Sequence, residues 1–131
     1  MTIEGGCCCG EIRYRIVGEL VDARRCHCSR CRKIFGGTGS AYAEVRPGEF
    51  RWLKGEAQLT RFGDNDGWGV VFCSVCGSTL CGVYQETVHG VTLGSVDGDP
   101  GVTIQRHVFA GSKAPWDTIP GDAPVFDEND A

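Results

Sequence analysis

The sequence predicts an all-β chain with at most one short helix, and three observations carry that expectation. Residues 11–17 alternate Ile12, Tyr14 and Ile16 with Glu11, Arg13 and Arg15, which is the two-residue period of a strand with one apolar and one charged face. The chain holds 20 glycines among 131 residues, as expected where short strands meet at tight turns. Only residues 29–35 have room for a helix, and it would be a short one.

The remaining elements follow from turn chemistry. Gly18 ends the first strand, and the cluster Gly36, Gly37 and Gly39 leads into a strand over residues 40–45 that stops at Pro47-Gly48. Strands over 50–53 and 58–62 flank Lys54-Gly55-Glu56, and residues 63–67, Gly-Asp-Asn-Asp-Gly, read as a loop before the apolar run 68–72. Two β-rich stretches, 88–93 and 102–109, are separated by the loop Asp97-Gly98-Asp99-Pro100-Gly101. The acidic end, 127–131, is expected to fray. A chain of 131 residues fits one domain, here 1–131, with a single core.

Bulk charge narrows the function. A formal charge of −4 lacks the basic stripe of a nucleic-acid binder, so no nucleic-acid partner is expected. No run approaches the roughly 18 apolar residues of a membrane span, and Met1-Thr2-Ile3-Glu4-Gly5-Gly6 lacks the basic and apolar regions of a secretion signal. A cytoplasmic protein with no membrane partner is the expectation. A reducing compartment disfavours disulfides, so the nine cysteines read first as metal ligands.

They fall into three clusters: Cys7-x-Cys9 before Gly10, Cys26-His27-Cys28-x-x-Cys31, and Cys73-x-x-Cys76 before Gly77. In an extended segment Cys7 and Cys9 would share a face and turn Cys8 away. In the last cluster a tight turn gathers both sulfurs, with Gly77 relieving the backbone. Soft thiolates favour zinc, which takes four ligands at about 2.3 Å. Two pairs make one four-thiolate shell, and a three-thiolate cluster leaves a position for water or substrate. Spacing alone does not say which clusters share an ion. Cys8 and Cys81 are expected to be small buried apolar residues.

Read in order, Gly6-Cys7-Cys8-Cys9-Gly10, Cys26-His27-Cys28-Ser29-Arg30-Cys31 and Phe72-Cys73-Ser74-Val75-Cys76-Gly77 resemble the glutathione-dependent formaldehyde-activating enzyme family, which includes the centromere protein V group. Softer support comes from Leu93-Gly94-Ser95-Val96-Asp97, His107-Val108-Phe109, Ser112-Lys113, Trp116, Pro124 and Phe126, so the likeness covers nearly the whole chain. The resemblance implies a β-tent of stacked antiparallel sheets and two zinc ions per chain. One is structural, held by Cys7, Cys9, Cys73 and Cys76; the other is catalytic, held by Cys26, Cys28 and Cys31. It implies a carbon–sulfur lyase that joins glutathione, or a similar small thiol, to formaldehyde as an S-hydroxymethyl adduct. The structural ion would clamp the N-terminal segment to the middle of the chain, closing a long loop.

Other residues have two readings. Arg24, Arg25, Arg30, Arg32 and Lys33 crowd the open cluster, where some would pair with the carboxylates of an anionic thiol or, more simply, form a solvated face that offsets thiolate charge. His27 lies between two proposed ligands, and its alternate facing argues against ligation; it is either an acid–base or supporting group or a packed or exposed histidine. His107 reads as a satisfied structural histidine and His89 has no special role. Trp52, Trp68 and Trp116 read as core or near-surface aromatics, with Trp116 placed to cover a pocket. A non-catalytic zinc-stabilised binding module is the competing class, and it would need a basic or apolar extension that the chain lacks. A methionine sulfoxide reductase-like domain would need a free catalytic cysteine on a late strand.

Overall fold

A computed structural model describes residues 1–64 and 66–129. Of the residues discussed above, Asn65 in the 63–67 loop and the last two of the acidic end lie outside the described residues. The fold is all-β with one short helix: β1 (Thr2–Gly6), β2 (Arg13–Val17), β3 (Val21–Cys26), α1 (Ser29–Phe35), β4 (Ser40–Glu44), β5 (Phe50–Lys54), β6 (Leu59–Gly63), β7 (Trp68–Cys73), β8 (Thr79–Tyr84), β9 (Thr87–Thr92) and β10 (Arg106–Val108). Short 3-10 turns occur at Glu56–Gln58, Leu93–Ser95 and Ala110–Ser112. No helix among the described residues is long and apolar enough to cross a membrane.

The chain forms two compact units, one of residues 1–21 and 43–102, the other of residues 22–42 and 103–131. In the first, β2 is the middle strand of a three-stranded sheet in the order β1-β2-β5, antiparallel on both sides. Its apolar face is the one the alternation predicted: Ile12, Tyr14 and Ile16 are fully buried. Phe50 and Trp52 from β5 pack on Tyr14, at 5.3 and 6.2 Å between ring centroids. A second ladder runs β9-β8-β7-β6, each pair antiparallel, with Val71, Leu80, Cys81, Val83 and Val91 buried. Tyr14 also reaches Ser95 across the unit, oxygen to oxygen 2.7 Å, while the Ser95 hydroxyl donates to the Thr92 carbonyl.

In the second unit the order is β10-β3-β4. Here the expectation of antiparallel sheets gives way to a parallel pair, with Arg106, His107 and Val108 beside Arg24, Arg25 and Cys26. The arrangement is held by Asp22, whose carboxylate accepts from both Arg24 and Arg106. With its charge matched, Arg24 can be buried, and its guanidinium lies 5.5 Å over the Tyr42 ring.

Several boundaries differ from the sequence reading. The stretch 102–109 shrinks to a three-residue strand because only its end reaches β3, through Gln105 N–H to the Ala23 carbonyl and the ladder beyond it. His89 lies in β9, within the β-rich stretch expected, its ring edge-on to Trp68 at 4.6 Å. Asp127 and Glu128 are tied down, not frayed: their carbonyls accept from Gly111 and Phe109.

Candidate metal centres

Two groups of cysteine sulfurs converge, Cys7 with Cys9, Cys73 and Cys76, and Cys26 with Cys28 and Cys31; within each, all sulfurs lie within 4.8 Å of one another. These are the partitions the resemblance implied. The first group lies wholly in the first unit and the second wholly in the second.

The four-sulfur group is built from two turns. Residues 7–10 are a turn rather than the extended segment expected: Gly10 N–H bonds the Cys7 carbonyl at 3.1 Å, with Gly10 at φ +81°. Cys8 is therefore exposed and not a buried apolar residue. The Ile12 N–H donates to Cys7 Sγ at 3.2 Å. At the other side Cys73 ends β7, and the chain curls so that Gly77 N–H reaches the Cys73 carbonyl at 2.8 Å and Val75 N–H reaches Cys73 Sγ at 3.4 Å. Gly77 sits at φ +80°, the left-handed conformation that its missing Cβ permits. Cys7 and Cys73 are buried, while Cys9 and Cys76 are exposed.

The dimensions fit a tetrahedral thiolate shell. Four sulfurs about 2.3 Å from a common centre stand about 3.8 Å apart at tetrahedral angles. Cys7 and Cys9 sulfurs are 3.6 Å apart, and those of Cys9 and Cys73 are 3.8 Å apart. Electrostatics agrees, because sulfurs crowded this closely cannot all ionise without a cation. The Ser78 hydroxyl and amide hold Cys76 down at about 5, while Cys9 is pushed up to about 12: the Glu11 amide favours its thiolate, but desolvation and the neighbouring Cys7, Cys76 and Cys73 sulfurs outweigh it.

The three-sulfur group is built by one helix start. Cys26 ends β3, and Cys28 is the N-cap of α1, its sulfur accepting from the Cys31 N–H at 3.4 Å. One helical turn then carries Cys31 back beside it. Gly36 closes the helix in the left-handed conformation, φ +65°, its N–H on the Arg32 carbonyl. The hydrogen bond with Cys26 is the main cause that lowers Cys31 to about 6, helped by Ser40, Cys28 and the charge of Arg30 against the cost of burial; Cys26 is raised by the same bond and by burial. No other His, Cys, Asp or Glu among the described residues joins this group, so it offers three donors and an open fourth direction.

Around it the basic residues divide. Arg24 is buried and committed to Asp22, whereas Arg30 and Lys33 on α1 are exposed. His27 is packed: 2% exposed, its N–H on the Val108 carbonyl and its Nε2 3.0 Å from His107 Nδ1. Its Nδ1 is buried without a hydrogen-bond partner and stands 3.9 Å from the Asp117 carboxylate. Burial lowers both histidines from their usual value, most directly opposing charge on the pair. His107 is thus the buried, bonded histidine expected. Trp116 is exposed and Cys81 fully buried. Sequence reasoning missed Asp117 and two serines that touch clustered sulfurs, Ser40 and Ser78. Serine in a turn or at a strand start carries no signal of what its hydroxyl meets.

The fold has solved counterparts: a crystal structure of a Rhodobacter sphaeroides protein superposes with a TM-score of 0.61 at 24% identity, covering 93% of this chain and 98% of that one. At the level of sequence, a Halomonas elongata protein named "Putative glutathione-dependent formaldehyde-activating enzyme" is 30% identical over 126 residues, 88% of this chain and 80% of the relative. The description "Glutathione-dependent formaldehyde-activating enzyme" fits a family profile matched over residues 2–112, a span that contains all seven clustered cysteines. With the cysteine spacing, the sulfur geometry and the profile in agreement, this chain belongs to the glutathione-dependent formaldehyde-activating enzyme family.

Proposed function

We propose that the chain is a cytoplasmic, zinc-dependent carbon–sulfur lyase that joins a small thiol of the glutathione type to formaldehyde, or reverses that step, at the Cys26, Cys28 and Cys31 cluster. The observation that carries the reading is the contrast between a complete four-sulfur group and a three-sulfur group with an open direction. The match over residues 2–112 runs through both units and supports treating residues 1–131 as one zinc-binding domain.

Zinc fits both donor sets, since all seven donors are soft thiols and the sulfur spacings suit tetrahedral bonds. Cys7, Cys9, Cys73 and Cys76 would hold a structural ion; Cys26, Cys28 and Cys31 would hold the catalytic one. An ion bound by three thiolates carries net charge −1 and supplies a mild Lewis acid that favours the ionised form of an incoming thiol. The protein's own residues supply the rest. Arg30 and Lys33, exposed on α1, attract the carboxylates of the thiol substrate. Arg30 already biases Cys31 toward its thiolate. Bond formation joins the thiol sulfur to the aldehyde carbon, and the thiol proton ends on the aldehyde oxygen in place of the carbonyl π bond, so atoms and charge balance.

The test is titration calorimetry of glutathione into zinc-loaded protein at neutral pH in buffers of differing ionisation enthalpy. Binding with release of close to one proton is expected, and its loss in Cys31→Ser. If no small thiol binds the zinc-loaded chain, carbon–sulfur chemistry loses its main support.

A further inference from the structure

We propose that Ser40 and Ser78 are positioning residues, each donating an O–H···S hydrogen bond to one ligand sulfur and thereby setting how tightly its cluster keeps its metal. The inference rests on the reading that both clusters bind a metal.

Ser40 opens β4 and is 5% exposed; its hydroxyl donates to Cys31 Sγ at 3.4 Å. Its place is fixed by the residue before it. Gly39 has φ +155°, and a Cβ there would overlap the Cys26 carbonyl oxygen and crowd His27 Cα. Only a residue without a side chain lets the start of β4 pass this close to the end of β3. Gly39 thus brings Ser40 to the cluster whose first ligand, Cys26, ends that strand.

Ser78 does the same work in the other cluster by a different route. Its carbonyl accepts the Cys73 N–H at 3.0 Å, which closes the Cys73–Cys76 turn. Its Oγ lies 3.2 Å from Cys76 Sγ and accepts the Cys8 N–H at 2.9 Å. A metal-bound thiolate has no proton to give, so in the loaded protein the hydroxyl must be the donor to sulfur. The Cys8 amide occupies one lone pair and leaves the O–H directed at Cys76. One serine therefore links the turn that carries Cys7 and Cys9 to the turn that carries Cys73 and Cys76.

A dication with three or four thiolates keeps excess negative charge on sulfur, and a hydroxyl donor draws some of it off while fixing the ligand's rotamer. Removing such supporting bonds from a metal site typically weakens binding by about 10–100-fold. Ser40 is buried and Ser78 half-buried, so the Ser40 bond lies in the lower dielectric and its loss has the larger effect.

The experiment compares wild type with Ser40→Ala, Ser78→Ala and the hydroxyl-retaining Ser78→Thr, all as full chains loaded with zinc or cobalt. Zinc transfer to a chromogenic chelator gives affinity for each equivalent, and the sulfur-to-cobalt charge-transfer band reports charge on the ligands. Ser40→Ala should weaken one equivalent by about 10–100-fold and leave the other unchanged. Ser78→Ala should weaken the other equivalent by less, and Ser78→Thr should restore it. Both alanine variants should shift the cobalt band even when fully loaded, which loosened packing alone would not do. Alanine variants that match wild type, or that weaken both equivalents together, overturn the inference while leaving the two-metal reading intact. A wild-type chain that takes up neither ion overturns the metal reading itself, and this inference with it.

Discussion

Tyr14 shows how much a single buried polar atom matters in a core this small. Burial raises its phenol from the usual value, and the ring is anchored by Phe50 and Trp52 while the hydroxyl meets Ser95. Tyr14→Phe keeps the packing and removes one buried hydrogen bond, so urea unfolding should show a loss of about 1 kcal/mol. His107 gives a pH signature. Its folded-state value is lowered by burial, and by the nearby charge of Arg25, so folding favours the neutral ring. The stability this contributes is whole above the unfolded value of about 6.5 and is lost as pH falls from there through the folded value. Between pH 7 and 5.5, His107→Gln should have a flatter stability profile than wild type; an equal slope would mean that His107 has no part in it.

At the scale of elements, α1 and the turns are where glycine decides. Gly36 and Gly39 both have positive φ, but only Gly39 has neighbours where a Cβ would go. Gly36→Ala should cost about 1 kcal/mol, the strain of a left-handed alanine. Gly39→Ala adds overlap with the Cys26 carbonyl and should cost clearly more, about 3 kcal/mol, read as the larger fall in thermal midpoint. The end of α1 was legible because the cluster Gly36, Gly37 and Gly39 breaks the chain there, whereas the capping by Cys28 was not. β2 was legible from alternation. β3 was not, because Asp22, Arg24 and Arg25 read as polar until the structure shows Asp22 neutralising Arg24 and Arg106. β1 and β8 were missed as well: one is too glycine-rich and the other starts too close to the Cys76-Gly77 turn for a clean period. Residues 7–10 were read as extended because the i, i+2 spacing of sulfurs suits a strand; the Gly10 hydrogen bond makes it a turn with the same convergence.

For the whole molecule, the candidate site was legible as sulfur chemistry and illegible as environment. Cysteine spacing marks the sulfur groups, since seven thiols fall into three short motifs. What surrounds them leaves no local pattern: Ser40 and Ser78 lie only nine and two residues from the sulfurs they meet, yet nothing in the sequence names that contact, while His107 and Asp117 reach His27 from far along the chain. On the proposed reading, the two sulfur clusters hold two ions with different duties. A closed four-thiolate ion contributes folding energy outright, whereas an open three-thiolate ion contributes chemistry. The direct test is zinc content, with circular dichroism melts, of wild type, Cys31→Ser and Cys76→Ser made under zinc-replete, reducing conditions. About two zinc ions per wild-type chain are expected, with about one in a folded Cys31→Ser and gross instability in Cys76→Ser. A single zinc in wild type after zinc loading, or a Cys31→Ser variant as unstable as Cys76→Ser, would contradict this reading.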